Sequence, residues 1–165
     1  MLLARLFHLL LTGAAFALVT VLDLRVPRIL PNLPVVFWGG VGLLVAGLGL
    51  AVWARLHLGR YWSGTITLKE GHRLIRSGPY AMVRHPIYTG IITAMVGTAI
   101  TVGTVSGTLG VLLLLAAYLL KIRREERFLA CEFGEEYARY RKDVNSLFPL
   151  PTAKSLNAAL QVCTP

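Results

Sequence analysis

The chain has 165 residues, 55% of them hydrophobic, a mean hydropathy of +0.63 and a net charge of +9. This apolar content is far above that of an ordinary soluble domain, and the length suits one compact unit. No aromatic-plus-basic motif supports a nucleic-acid reading of the charge; cationic loops facing anionic lipid headgroups account for it better.

The apolar runs predict membrane spans. Leu2 to Leu22 is interrupted only by Arg5 and His8. At about 1.5 Å per residue it can cross a ~30 Å hydrocarbon core. Arg5, the apolar stretch and Ala15-Phe16-Ala17 also have the layout of a cleavable signal peptide, but the apolar run continues to Leu22, which favours a retained span. Asp23 to Pro34 is a short loop with three prolines. Val35 to Leu56 is a second span, with Trp53 as an interface anchor. Its glycines (Gly39, Gly40, Gly42, Gly47 and Gly49) predict close helix packing.

His57 to Arg84 is a polar loop with five Lys/Arg against one Glu. Ile87 to Val102 is the third span, Gly103 to Gly107 a tight turn, and Thr108 to Leu120 with flanking residues the fourth. From Lys121 to Val144 a helix leaves the membrane. Its apolar stripe is Leu129, Phe133, Tyr137, Tyr140 and Val144, and Glu125 lies one turn before it. Gly134 predicts a kink or a close contact.

The expected fold is therefore all-α: an integral membrane protein with about four transmembrane helices and a cytoplasmic C-terminal amphipathic helix. Residues 1–150 form one domain. Residues 151–165 form a tail expected to be poorly ordered after Pro149 and Pro151. The loop between the first two spans has two Lys/Arg, the turn between the last two has none, and the segment from Lys121 onward has eight. This asymmetry predicts both termini and the 57–84 loop on the cytoplasmic side. Cys131 and Cys163 lack metal-ligand spacing and read as free thiols, and Cys163 is too close to the end for a prenylation box.

Polar chemistry concentrates at the edges of the last two spans. Pro86 suits a first helical position, so Arg84 and His85 would sit at the positive dipole end of the third helix, where they suit a carboxylate. Interface snorkelling by Arg84 and helix capping by His85 are the structural alternatives. Lys121 and Glu125, four apart, share a helix face. They read as a salt bridge, or as an anion site beside a hydrogen-bond acceptor. His72 and His85 have no acidic cluster and do not suggest a metal. No dinucleotide fingerprint, phosphate loop or Ser-His-Asp set is present.

The run Gly71-His72-Arg73-Leu74-Ile75-Arg76-Ser77-Gly78-Pro79-Tyr80, then Arg84-His85-Pro86-Ile87-Tyr88-Thr89-Gly90, resembles the signature of the isoprenylcysteine carboxyl methyltransferase family. So does Glu125-Glu126 followed by Phe133-Gly134-Glu135-Glu136-Tyr137, Tyr140, Val144 and Pro149, while Leu58 to Gly64 resembles its shorter, bacterial-type members. The family is similar in outline to membrane phospholipid methyltransferases. The resemblance implies S-adenosyl-L-methionine as cofactor, a hydrophobic or lipidated acceptor drawn from the bilayer, and a site facing the cytoplasm. The membrane would be a bacterial inner membrane, or the endoplasmic reticulum in a eukaryote.

By matching positions, His72, Arg73, Leu74, Ile75 and Tyr80 would line the cofactor site. His85, Pro86, Ile87 and Tyr88 would form its helix-start wall. Glu125 would reach the cofactor, with Glu126 as the alternative register. Lys121 would hold the acceptor carboxylate, with Arg123 and Arg124 as register alternatives, and Arg84 is a second catalytic candidate. Two rivals remain: another methyltransferase of the same fold acting on a lipid amine or a small hydrophobic acid, where an amine would call for a deprotonating group rather than a cation at Lys121, and a non-enzymatic four-span protein such as a small multidrug transporter. No Asp or Glu lies within the four apolar runs, which argues against a coupled transporter.

Overall fold

A computed structural model describes residues 2–20, 27–59 and 74–149. These residues form four α-helices: α1 (Leu2–Thr20), α2 (Pro34–Leu58), α3 (Pro86–Val102) and α4 (Val105–Asp143). A 3-10 turn, Gly78–Ala81, precedes α3. Prolines open α2 and α3, where the missing N–H costs nothing and φ is already helical.

The turn after α3 is shorter than the sequence suggested. Gly103 ends α3 in the left-handed region at φ 75°, and the Thr104 hydroxyl accepts the Gly107 N–H. α4 therefore starts at Val105, with Ser106 and Gly107 inside the helix. The C-terminal helix is the direct continuation of the same element, bent at Gly134, where φ is 49°. A Cβ at Gly134 would meet nothing within 4 Å, so the residue serves the bend and not a close contact.

α3 and α4 form a hairpin at the centre; α2 packs on α3, and α1 packs mainly on α4. The α2–α3 seam is built from glycine. A Cβ at Gly47 would run into the backbone of Gly90 and Ala94, and one at Gly97 into that of Gly40 and Leu44. Gly40 and Gly47, seven apart, thus form the packing stripe, whereas Gly39, Gly42 and Gly49 face open space. Gly110 plays the same part between α4 and Ala15 and Val19 of α1. Ile92, Met95, Leu114, Tyr118 and Ile122 fill the interior.

The outer faces are apolar. Leu9, Leu10, Val35, Trp38, Val45, Val52, Leu109 and Leu112 are all exposed, a surface poorly suited to water. α2 and α4 are long and apolar enough to cross a bilayer; α1 and α3 are shorter apolar helices. Trp38 and Trp53 stand about 22 Å apart along α2, near its two ends, as interface aromatics do.

The connections divide between the two ends of the bundle. At one end, the Ile29 and Leu30 N–H groups donate to the Gly103 carbonyl at 2.7 and 3.2 Å. At the other, residues 144–147 strap the start of α3: the Arg84 N–H donates to the Asn145 carbonyl at 2.8 Å and the His85 N–H to the Ser146 carbonyl at 3.0 Å. The Thr89 hydroxyl donates to the Leu147 carbonyl at 2.8 Å.

Candidate functional site

The strap end carries the polar chemistry. His85 occupies the N-cap position of α3, but its side chain makes no capping bond. The ring turns instead to α4, between two carboxylates: Nε2 lies 3.3 Å from Glu126 Oε1 and Nδ1 lies 3.8 Å from Glu125 Oε2. Capping is thus done by position alone.

The two adjacent glutamates have different surroundings. Glu126 Oε1 accepts from Arg84 Nε at 3.0 Å and Nη2 at 2.6 Å, and Arg141 Nε stands 3.8 Å from Oε2. Arg84 also donates to the carbonyls of Arg141 and Val144. The carboxylate that Arg84 and His85 suit is thus supplied by the chain itself. Burial pushes the Glu126 carboxyl up, but the hydrogen bonds and charges of His85 and Arg84 outweigh it and hold it at about 2.

Glu125 flanks the same ring but has other partners. The Tyr88 hydroxyl donates to its Oε1 at 2.6 Å, and Lys121 Nζ lies 4.0 Å from the same oxygen. Lys121 also sits over the Tyr88 ring, 5.0 Å from its centroid. With 21% of its side chain exposed, against 14% for Glu126, Glu125 keeps lone pairs for an incoming donor. Tyr88 stacks on His85 at 5.7 Å and on Tyr118 at 4.7 Å, which forms an aromatic floor.

Tyr80 is buried and reaches across to α2, its hydroxyl donating to the Ala54 carbonyl at 3.5 Å. Burial and the nearby Glu125 charge push that hydroxyl up to about 12. Its own carbonyl accepts from the Tyr140 hydroxyl at 2.7 Å. Pro86 is buried, and Ile87, Leu74 and Ile75 are half-buried. His72 and Arg73 lie outside the described residues. Of the three cations considered for the acceptor, only Lys121 faces Glu125 and Tyr88; Arg123 and Arg124 are exposed.

The structure therefore gathers Arg84, His85, Tyr88, Lys121, Glu125 and Glu126 in one place. It adds two residues not singled out from sequence, Tyr118 and Arg141. Tyr118 lies three and seven residues before Lys121 and Glu125, so extending that helix face backward would have found it. The donor set fits S-adenosylmethionine: an accessible carboxylate for hydroxyl or ammonium donors, a phenol beside it, and aromatic faces.

The family described as "Isoprenylcysteine carboxyl methyltransferase (ICMT) family" matches residues 40–131, a span holding all these candidates except Arg141. The chain is 36% identical to the protein-S-isoprenylcysteine O-methyltransferase of Schizosaccharomyces pombe over 84% of its own length and 60% of that protein. It is 32% identical to the cobalt-zinc-cadmium resistance protein CzcN of Cupriavidus metallidurans, covering 68% of this chain and 53% of that protein. It is also 32% identical to a probable protein-S-isoprenylcysteine O-methyltransferase of Oryza sativa subsp. indica, covering 67% and 59%. The chain thus spans between half and three fifths of the length of these relatives.

Proposed function

The chain belongs to the isoprenylcysteine carboxyl methyltransferase family, and from that premise we propose that it is a membrane S-adenosylmethionine-dependent methyltransferase acting on the carboxylate of a hydrophobic, isoprenylcysteine-like acceptor. All four helices would cross the bilayer, with the strap end facing the cytoplasm. The observation that carries the reading is the Lys121 ammonium beside Glu125 and over Tyr88, at the point where α4 turns from apolar to polar.

Glu125, Tyr88 and His85 would hold the cofactor, with Leu74, Ile75 and Tyr80 on the same side and His72 and Arg73 as further contacts. Bound there, S-adenosylmethionine supplies an electrophilic methyl group on a sulfonium. Lys121 would bind the acceptor carboxylate. That group is already ionised at neutral pH, so no side chain has to remove a proton. The work left to the protein is to align the reacting atoms and exclude water, a source of about 7–11 kcal/mol in well-oriented systems. Arg84 and Glu126 would support this as the clamp that fixes α3 against α4.

The test is a transfer assay with methyl-labelled cofactor and a farnesylated cysteine. A product that releases methanol in mild base is an ester and supports the proposal. A base-stable labelled lipid product transfers the assignment to an amine acceptor.

A further inference from the structure

Between Leu6 and Thr20 the only ionisable residue is His8. Ionisable side chains in apolar spans are costly and tend to serve a site. The neighbours Phe7, Leu9 and Leu10 are 52%, 65% and 71% exposed and face outward, whereas His8 is half-buried against α4. Its ring meets Tyr118 edge-on, with centroids 5.5 Å apart and planes at 69°. Tyr118 stands three residues before Lys121 on α4, so the two lie on neighbouring turns of one helix face. Tyr118 in turn lies on Tyr88, which bonds Glu125 and carries Lys121 over its face. An unbroken aromatic line, His8–Tyr118–Tyr88–His85, thus runs from α1 to the start of α3.

His8 thus reaches the Tyr118–Lys121 face of α4 from α1, a different element from the α3 start that carries His85 and Tyr88. Residue 8 also lies outside the span matched by the family. The other faces of α1 present apolar side chains to the surroundings from which a lipidic acceptor would arrive. We propose that His8 is a specificity-determining residue of the acceptor site, forming the α1 wall beside Lys121 that orients the carboxyl-bearing end of a hydrophobic acceptor. This rests on the methyltransferase reading above.

The experiment uses the full chain in lipid nanodiscs, labelled S-adenosylmethionine and N-acetyl-S-farnesylcysteine. His8→Leu and His8→Phe both suit an apolar helix, so folding is retained. His8→Leu should raise the acceptor KM about three- to tenfold, the equivalent of one aromatic contact. Its cofactor Kd and kcat should stay within about twofold, a split that a general loosening of the bundle does not produce. A His8→Phe variant at the wild-type KM assigns the effect to the ring. One at the His8→Leu value assigns it to the ring nitrogens, and either supports the proposal. An unchanged acceptor KM in His8→Leu, or a parallel rise in KM and cofactor Kd, overturns it while leaving the methyltransferase reading intact. Failure of the wild-type chain to form a base-labile ester overturns both.

Discussion

The Tyr88 hydroxyl donates to Glu125 across 2.6 Å, tying the first turn of α3 to the point where α4 becomes polar. The next residue, Glu126, bonds Arg84 instead. Two consecutive carboxylates on one helix thus meet two different partners on the same neighbouring segment.

The two positions should respond differently to truncation. Glu125→Ala is expected to weaken S-adenosylmethionine binding by about 1.5–3 kcal/mol, the value of a charge-assisted hydrogen bond, while the protein stays folded. Glu126→Ala leaves Arg84 buried without its carboxylate and should cost about 3–5 kcal/mol of stability. Calorimetric titration and thermal unfolding of both variants separate the two roles. Equal losses of stability would remove the distinction.

Acid should act through Glu126. Its carboxyl is held at about 2 against an ordinary 4.5. A depressed carboxylate stabilises the fold above its unfolded value, and that contribution disappears as pH falls from 4.5 toward 2. The amount is on the order of 3 kcal/mol. The unfolding midpoint of the wild type should drop across this window, while Glu126→Gln should be less stable at pH 7 and flatter in acid. A Glu126→Gln acid limb as steep as the wild type's would place the dependence elsewhere.

Lys121→Ala should reduce methyl transfer while leaving cofactor affinity nearly unchanged, because its proposed ligand is the acceptor. Lys121→Arg keeps the charge and should retain much of the activity. Steady-state kinetics with both substrates varied would show a loss confined to acceptor terms. A matching fall in cofactor affinity would move Lys121 to the other side of the site.

Neighbouring glycines of α2 should behave oppositely. Gly47→Ala pushes a methyl into the α3 backbone, a case of overpacking expected to cost about 1–3 kcal/mol or more. Gly49→Ala meets open space and should stabilise the helix by roughly 0.5–1 kcal/mol. Thermal unfolding in one detergent reads both signs.

Single cysteines at Val105 and Ser77, both exposed and at opposite ends of the bundle, test the orientation in a background free of Cys131 and Cys163. Ser77→Cys should label from the cytoplasmic side and Val105→Cys from the other. Labelling of both from one side would rule out the four-span arrangement.

Much of this organisation was legible in the sequence because it is local. Pro86 marks a helix start, and the stripe through Tyr137 and Tyr140 is buried as its spacing predicts, while Arg124, Arg127, Arg139 and Lys142 face out. Lys121 and Glu125 meet at one helical turn. What could not be read is non-local. The pairing of Arg84 with Asn145 and Glu126 joins segments dozens of residues apart and leaves no periodic trace. α2 is apolar on every side, so no pattern distinguished Gly47, which packs, from Gly49, which does not. Ser106 and Gly107 looked like turn residues because small side chains serve turns and tight helix hairpins equally. His8 was visible only as an interruption, since its partner Tyr118 lies on another helix.

The adjacency of Glu125 and Glu126 also makes the distance along α4 from Thr104 a functional quantity. Each residue turns a helix by about 100°. Deleting one residue between the Thr104 cap and Glu125 would rotate both carboxylates through that angle relative to the apolar part of α4. The seating of that apolar part against α1 and α3 would then no longer agree with the seating of the carboxylates against Arg84 and Tyr88. Length in this stretch of α4 should therefore tolerate change far less than side-chain identity does.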